Sequence, residues 1–281
     1  MNQNNLKVYC RVIGLRQSDI IRGAIESLEI NENKLKIMNN NIKFCQIVKD
    51  QQLQFNNNLI QEQDQWFITY GECASGKTTA MFREDGVIEQ IGQMYINNNK
   101  QQNVQISMIE IRKNKIIDML TQQEVKLIQS NESFNCMNLK KISIQNMDQY
   151  LQIIQSGYQN RTQQNGLMSN ISTIYPLIIK LDFGNFAIQF VDLVGSQKSK
   201  YCSPNMLNEI IFNNTGLSQI ECILNTKDET QRLLLCNTHL ITKVLKNAFR
   251  NSSLTNLIVC VSAANIYEKD TLRILKQIQG L

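Results

Sequence analysis

One eight-residue stretch carries the strongest chemical signal in the chain. Gly71-Glu72-Cys73-Ala74-Ser75-Gly76-Lys77-Thr78 has glycine at its first and sixth positions, then lysine, then a hydroxyl residue. Glycine lets the main chain turn until consecutive N–H groups converge on one point, an arrangement that suits a phosphate. Lys77 adds a cation at the β/γ end of a polyphosphate, and Thr78, followed by Thr79, offers a hydroxyl to Mg²⁺. A helix opening near Lys77 would turn its positive end towards the same anion. A second segment, Phe190-Val191-Asp192-Leu193-Val194-Gly195, is an apolar run ending in Asp-x-x-Gly. Such a run can deliver Asp192 to a magnesium shell and the Gly195 N–H to a terminal phosphate. Asp-x-x-Gly alone is common in surface turns, so its weight comes from the first motif.

These positions need elements to hold them. Trp66 to Tyr70 is a compact aromatic and β-branched run closed by Gly71, the pattern of a buried strand. Lys77 to Phe82 and Val87 to Tyr95 read as helices around a Gly86 turn. Ser172 to Leu181 and Asn185 to Leu193 read as a hairpin around Asp182-Phe183-Gly184, which places Asp192 at a strand's end. Leu6 to Ile13, Val104 to Ile111 and Asn256 to Ser262 read as further strands. Gln51 to Gln65 suggests a modest surface helix, and Asn114 to Leu120 a short one. Glu132 to Ser143 reads as irregular. Helical spacing covers Met147 to Tyr158, Leu207 to Leu224, Leu240 to Phe249 and Asp270 to Ile278. Strands interleave with helices throughout, so the expected class is α/β. The sheet is expected to be central and covered. No internal repeat or domain boundary stands out, and residues 1–281 read as a single domain.

Composition excludes other chemistries. The chain has 281 residues, 42% of them hydrophobic and 19% charged, a globular balance rather than a disordered one. Eight cysteines without any Cys-x-x-Cys pair read as reduced thiols. A single histidine argues against a histidine zinc site or a Ser-His-Asp triad. No stretch approaches the ~20 apolar residues of a membrane helix, and the polar start is unlike a signal peptide. A net charge of +5 permits an acidic partner. Its cations are dispersed and lack aromatic interleaving, which argues against nucleic acid.

The motifs, taken in order, resemble the kinesin motor domain. Thr69 to Thr78 is similar to that family's AYGQTGSGKT. Ser107 to Leu120 (SMIEIRKNKIIDML) resembles SYLEIYNEKIRDLL, and Val191 to Ser196 resembles VDLAGSE up to its last residue. Asn213 to Ser218 is similar to INKSLS, Ile241 to Asn247 to LTRLLQD, Ile258 to Ser262 to IACVSP, and Asp270 to Leu275 to ETLSTLR. The resemblance implies a P-loop NTPase fold, a central, mostly parallel or mixed sheet of roughly eight strands with helices on both faces. It implies ATP and Mg²⁺ as ligands, cradled by Gly71, Glu72, Cys73, Ala74, Ser75, Gly76, Lys77, Thr78 and Thr79. Arg11 would lie at the base, Thr78 and Asp192 at the metal, and Ser169 and Gly195 near the γ-phosphate. Microtubules are the implied partner, and cytoplasm and cytoskeleton the implied location.

The departures are specific. The family's switch I NxxSSRSH has its nearest counterpart in Asn165 to Ser172, where Ser169 keeps a hydroxyl and Asn170 replaces arginine. Gln197 replaces the switch II glutamate. The resemblance implies that those two charges form a salt bridge ordering the attacking water; two amides cannot supply the charge. General-base help is typically worth ~10²–10⁴ in rate, so hydrolysis is expected to be slow or absent while binding survives. At the base end, CRxRP appears as Cys10-Arg11-Val12-Ile13-Gly14, without the second arginine and the proline. On the tubulin side, YRxSKLTR corresponds to Cys236 to Lys243 and keeps only its last cation. Lys243, Lys246 and Arg250 fall at i, i+3 and i+7 of one expected helix face. With Lys198 and Lys200, that set could meet an acidic partner; a solvated helix face accounts for it equally well.

Three functions follow. The first is a kinesin-like motor domain that binds ATP·Mg and microtubules with impaired hydrolysis. The second is a non-catalytic scaffold or regulatory subunit using the same fold. The third, a GTPase or small-molecule kinase, is disfavoured because Asn225-Thr226-Lys227-Asp228 has the wrong spacing for a guanine-reading NKxD. No heptad repeat is present, so dimerisation would need a partner chain or sequence beyond this one.

Overall fold

The computed structural model describes residues 5–278 apart from 39, 60, 99–102, 131–132, 162, 165–171, 174 and 197–206. In chain order, Leu6–Ile13 is β1 and Gln17–Ile21 is α1. Leu28–Asn31, Lys34–Ile37 and Asn40–Lys43 (β2 to β4) form a small antiparallel sheet, and Gln46–Lys49 is β5. Gln65–Gly71 (β6) leads into Lys77–Phe82 (α2) and Val87–Asn98 (α3). Val104–Arg112, Lys115–Asp118, Glu124–Ser130 and Ser133–Met137 (β7 to β10) run back and forth; Ile142–Ile144 (β11) returns to pair with β7. After Met147–Gln159 (α4), Gln163–Gln164 and Ser172–Thr173 (β12, β13) pair antiparallel. Leu177–Asp182 and Ala187–Asp192 (β14, β15) form the expected hairpin. Leu207–Asn225, Glu229–Leu235 and Leu240–Val244 (α5 to α7) precede Leu254–Ser262 (β16) and Glu268–Ile278 (α8).

The main sheet runs β10-β9-β8-β7-β14-β15-β6-β16-β1-β5. Its strands from β15 to β5 are mutually parallel, and those from β10 to β14, with the β14–β15 pair, are antiparallel. The sheet is therefore mixed rather than mostly parallel, and the parallel half carries the site. Period-two alternation explains why the central strands are apolar throughout: each face meets its own layer. Trp66, Ile68 and Tyr70 face one layer with Leu217, Ile220, Ile241 and Ile274, contributed by α5, α7 and α8. Phe67 faces the other with Met81, Ile88, Ile91, Tyr150 and Ile154, from α2, α3 and α4. Fully burying one such side chain contributes about 1.5–3 kcal/mol.

Several expectations fail for physical reasons. Asn114 to Leu120 is not a helix: Lys113 takes a positive φ of 50° at the turn after β7, and Lys115–Asp118 pairs back as β8. Gln51 to Gln65 is not a surface helix. It holds one 3-10 turn, Asn57–Leu59, and its Leu53, Phe55 and Leu59 are buried. Gln90 pins the segment by donating to the Leu53 carbonyl and accepting from the Phe55 amide. Within Glu132 to Ser143, β10 and the start of β11 are ordered by pairing with β9 and β7. The helix expected from Leu240 to Phe249 stops at Val244 and continues as a 3-10 turn over Lys246–Phe249. Arg232 Nε donates to the Phe249 carbonyl at 2.7 Å and Thr255 Oγ1 to the Ala248 carbonyl at 2.6 Å, which hold that tighter turn.

Candidate functional site

β6 and β15 are parallel neighbours, with Asp192 in register with Thr69. Both strands therefore release their loops at the same end of the sheet. After Gly71 the first loop turns through Ala74 (φ 60°) and Gly76 (φ 81°), where left-handed backbone favours glycine. A Cβ on Gly76 would come within 2.7 Å of Arg11 Nη1 and 2.5 Å of Ile13. Ser75 Oγ closes the loop by donating to the Glu72 carbonyl at 2.8 Å.

Lys77 opens α2 and is buried. Its Nζ donates to the Gly71 carbonyl at 3.2 Å and also to the Glu72 carbonyl. Burial pulls the ammonium below its ordinary value, against the fields of Cys73, Cys260, Asp192 and Glu72. Thr78 Oγ1 donates to Asp192 Oδ2 at 2.8 Å, so the two residues expected to share a metal are in direct contact. Thr69 Oγ1 donates to Asp192 Oδ1 at 3.1 Å. Gly195 is also required by closeness: a Cβ there would fall on the Cys73 amide and the Glu72 carbonyl carbon, well inside van der Waals contact. The next residue, Ser196, bridges to Glu72 in parallel fashion.

Arg11 lies on the strand beside the loop and is 4% exposed. Its Nε donates to the Gln51 carbonyl at 2.9 Å, while its buried Nη1, directed at Gly76, has no hydrogen-bond partner among the described residues. At the position of the family's proline, the Gly14 amide donates to Asp50 Oδ1 at 2.7 Å, a bond proline cannot make. Thr79 is exposed, and its carbonyl accepts from Gln52 Nε2.

One residue in contact with Asp192 escaped the sequence reading. Arg161, fully buried just past α4, places Nη1 2.5 Å from Asp192 Oδ2 and Nε 3.8 Å from Glu110 Oε1. Its Nη2 donates to the Tyr175 carbonyl at 3.0 Å. Arg112 Nε pairs with the other Glu110 oxygen at 2.6 Å. No periodicity marks Arg161; the available signal is that it is the sole cation between Lys141 and Lys180.

The expected cation row does not form. Lys243 is on α7, but Lys246 sits on the 3-10 turn and is 7% exposed. Lys246 Nζ donates to Asn237 Oδ1 at 3.2 Å and lies 5.6 Å from the Phe134 ring centroid. Arg250 follows that turn, with Nε on Asn247 Oδ1 at 3.2 Å. These three are not one helix face, because the helix ends between the first and second. Ser169, Asn170, Gln197, Lys198 and Lys200 lie outside the described residues.

The donor set fits a magnesium nucleotide: a glycine-shaped loop, a buried lysine on its carbonyls, a Thr–Asp pair and an unpartnered guanidinium nitrogen beside Gly76. No described helix is long and apolar enough to cross a membrane. The family model for the kinesin motor domain matches residues 36–277. Kinesin-like protein klp-19 of Caenorhabditis elegans is 26% identical over 242 residues, covering 74% of this chain and 22% of that protein. Human kinesin-like protein KIF28P is 25% identical over 240 residues, covering 74% and 25%. The chain thus spans about a quarter of the length of these curated relatives. Among solved structures, a KIF14 dimer (residues 391–772, two-heads-bound, with AMP-PNP on a microtubule) superposes with a TM-score of 0.86. It covers 98% of this chain and 93% of its own at 15% identity, a likeness of fold.

Proposed function

Since the chain belongs to the kinesin motor-domain family, we propose that it binds ATP·Mg²⁺ and a microtubule and hydrolyses ATP slowly or not at all. The Thr78–Asp192 contact at 2.8 Å is the observation that carries the nucleotide half of this reading. Amides and carbonyls of Gly71 to Thr78 shape the phosphate cradle, and Lys77 is the cation within it. Arg11, with its free Nη1 beside Gly76, is assigned to the nucleotide on the β1 side. Thr78 Oγ1 and the Asp192 carboxylate are assigned to Mg²⁺, directly or through its waters. Bound there, the ion would polarise the γ-phosphoryl oxygens. Gly195 brings the second loop against Cys73, close enough for its amide to sense a terminal phosphate.

The chain's own residues account for the slow chemistry. Asn170 and Gln197 leave the water-ordering pair without charge, so neither can take the proton of the attacking water. Arg161 already occupies Asp192 Oδ2, an oxygen the metal shell would share, so engagement of Mg²⁺ competes with a buried ion pair. That contact also favours the second reading, a nucleotide-binding scaffold that turns nothing over. Microtubule docking rests on family membership and on the KIF14 complex, with Lys198, Lys200 and Lys243 as the candidate contacts and Lys246 and Arg250 as supports.

Paired measurement of Mg-ATP affinity and phosphate release, with and without microtubules, tests the reading on wild type and Lys77→Ala. Micromolar binding lost in the variant, with weak stimulation in wild type, is expected. Stimulated turnover comparable to an ordinary motor would overturn the impaired-hydrolysis half. Absence of any nucleotide binding would overturn the whole.

A further inference from the structure

The second residue of the phosphate loop departs from the family motif: Gln in AYGQTGSGKT is Glu72 here. Glu72 is 7% exposed and touches three parts of the machinery. Its carbonyl accepts from Lys77 Nζ and Ser75 Oγ. Its main chain bridges to Ser196 in the loop after Asp192. Its Oε1 accepts from Thr271 Oγ1 at 2.9 Å, and Thr271 is fully buried in α8. α8 also reaches the second loop, since Arg273 Nη2 donates to Ser196 Oγ at 3.0 Å. One carboxyl therefore sits where the phosphate loop, the second loop and the last helix meet.

The charged groups facing it are Lys77 from α2 and Asp270 and Arg273 from α8. Among the described residues, none makes an ion pair with it. Burial pushes the Glu72 carboxyl up to about 7. The Thr271 hydrogen bond, Lys77 and Arg273 pull the other way, and Asp270 adds to the rise. The Lys77 ammonium is held at the Glu72 carbonyl, where its field adds to the larger effect of the Thr271 hydrogen bond in favouring ionised Glu72. A phosphate that draws the ammonium to itself weakens that field and adds negative charge nearby, of which a bound Mg²⁺ offsets only part. Both changes favour the neutral acid.

We propose that Glu72 couples nucleotide binding to proton uptake: as phosphates engage Lys77, the Glu72 carboxylate takes one proton from solvent, and it returns that proton on release. The inference rests on the nucleotide reading above. Neutral Glu72 is a donor as well as an acceptor. Thr271 Oγ1 can then accept from it while turning its own hydrogen to the Ser262 carbonyl, 3.4 Å away. The contact between phosphate loop and α8 thus reverses direction instead of breaking, and α8 registers the state of the loop.

The sign is fixed by linkage. Where the loaded form holds the proton more tightly than the free form, affinity is highest below the free form's titration and falls as pH rises through it. Each tenfold difference in proton affinity between the two forms lowers nucleotide affinity about tenfold across that window.

Titration calorimetry of the whole chain with Mg-ADP, in buffers of different ionisation enthalpy across neutral pH, tests this on wild type and Glu72→Gln. The phosphates' own protons are common to both proteins and cancel in the comparison. Greater proton uptake in wild type, and an affinity falling several-fold more steeply above about pH 7 than in E72Q, is expected. Identical proton uptake and pH slope in the two proteins would overturn the inference and leave nucleotide binding standing. No heat of binding from either protein at any pH would overturn both. Thr271→Val keeps the carboxyl but removes its donor, so the uptake should move to higher pH; an unmoved uptake overturns the proposal even if E72Q fails to fold.

Discussion

Arg161 Nη1 and Thr78 Oγ1 converge on the same oxygen of Asp192, at 2.5 Å and 2.8 Å. The carboxylate is 1% exposed, and its other oxygen is taken by Thr69. A buried charge so placed depends on its partners, because an uncompensated carboxylate pays a full desolvation cost. Arg161→Met should therefore cost about 3–5 kcal/mol in urea unfolding. Much of that loss should vanish in an Asp192→Asn background, where only the longer contact with Glu110 is left. An additive double mutant would show that the pair is incidental.

Gly195 approaches Cys73 and Glu72 main chain to main chain. Backbone cannot rotate aside as a side chain can, so Gly195→Ala should separate the two loops. Overpacking of this kind costs about 1–3 kcal/mol. A lower Tm together with weakened Mg-nucleotide binding is the expected pair of readings. Gly184→Ala, whose Cβ would meet nothing within 4 Å but whose φ is 91°, should lower Tm modestly and leave binding alone.

The same Glu72 carboxyl has a consequence for stability. Its folded value, about 7, lies above the ordinary 4.5 because burial disfavours the charge. The folded state thus holds the proton more tightly than the unfolded state between those values. Stability contributed by the neutral acid is fully present below about 4.5 and is lost as pH rises to about 7. Glu72→Gln should remove that slope, so the variant gains on wild type through this window. Denaturant midpoints at a series of pH values give the test; parallel curves would contradict it.

Lys246 and Lys243 should behave differently on the candidate microtubule side. Lys246 is committed to Asn237 and the Phe134 ring, so Lys246→Met should lower Tm and leave the salt dependence of co-sedimentation almost unchanged. Lys243→Glu should weaken co-sedimentation most at low salt, where a half-buried surface charge is least screened.

Restoring the two absent charges is a separate experiment. Asn170→Arg with Gln197→Glu should raise ATP turnover more than the sum of the single changes, since each charge needs the other. Steady-state phosphate release measures it, and a double variant no faster than the two single changes combined would contradict the pairing.

Much of this was legible in the sequence because it is local or strictly periodic. The Gly71–Thr78 loop, the run ending at Asp192 and the β14–β15 hairpin all have near-neighbour signals, and the structure places them as expected. Lys115–Asp118 was misread because four residues are too few to show a period; pairing with β7 decides their state. Leu53, Phe55 and Leu59 have apolar spacing, yet the core and Gln90 impose their conformation. Lys246 followed the helical count until Arg232, from a different helix, claimed the Phe249 carbonyl. Arg161 was invisible for the same reason: its partners Asp192 and Glu110 lie 31 and 51 positions away, and only the sheet brings them together.

The registration of Asp192 opposite Thr69, and of Cys260 opposite Gly71, sets a parity rule for this half of the molecule. Side chains alternate across a strand, so losing one residue inside Ala187–Asp192 would send the carboxylate to the opposite face. Losing two would restore its face but draw it one pleat back from Thr78. A loop that carries no site residue can change length without moving that carboxylate; the interiors of β6 and β15 cannot.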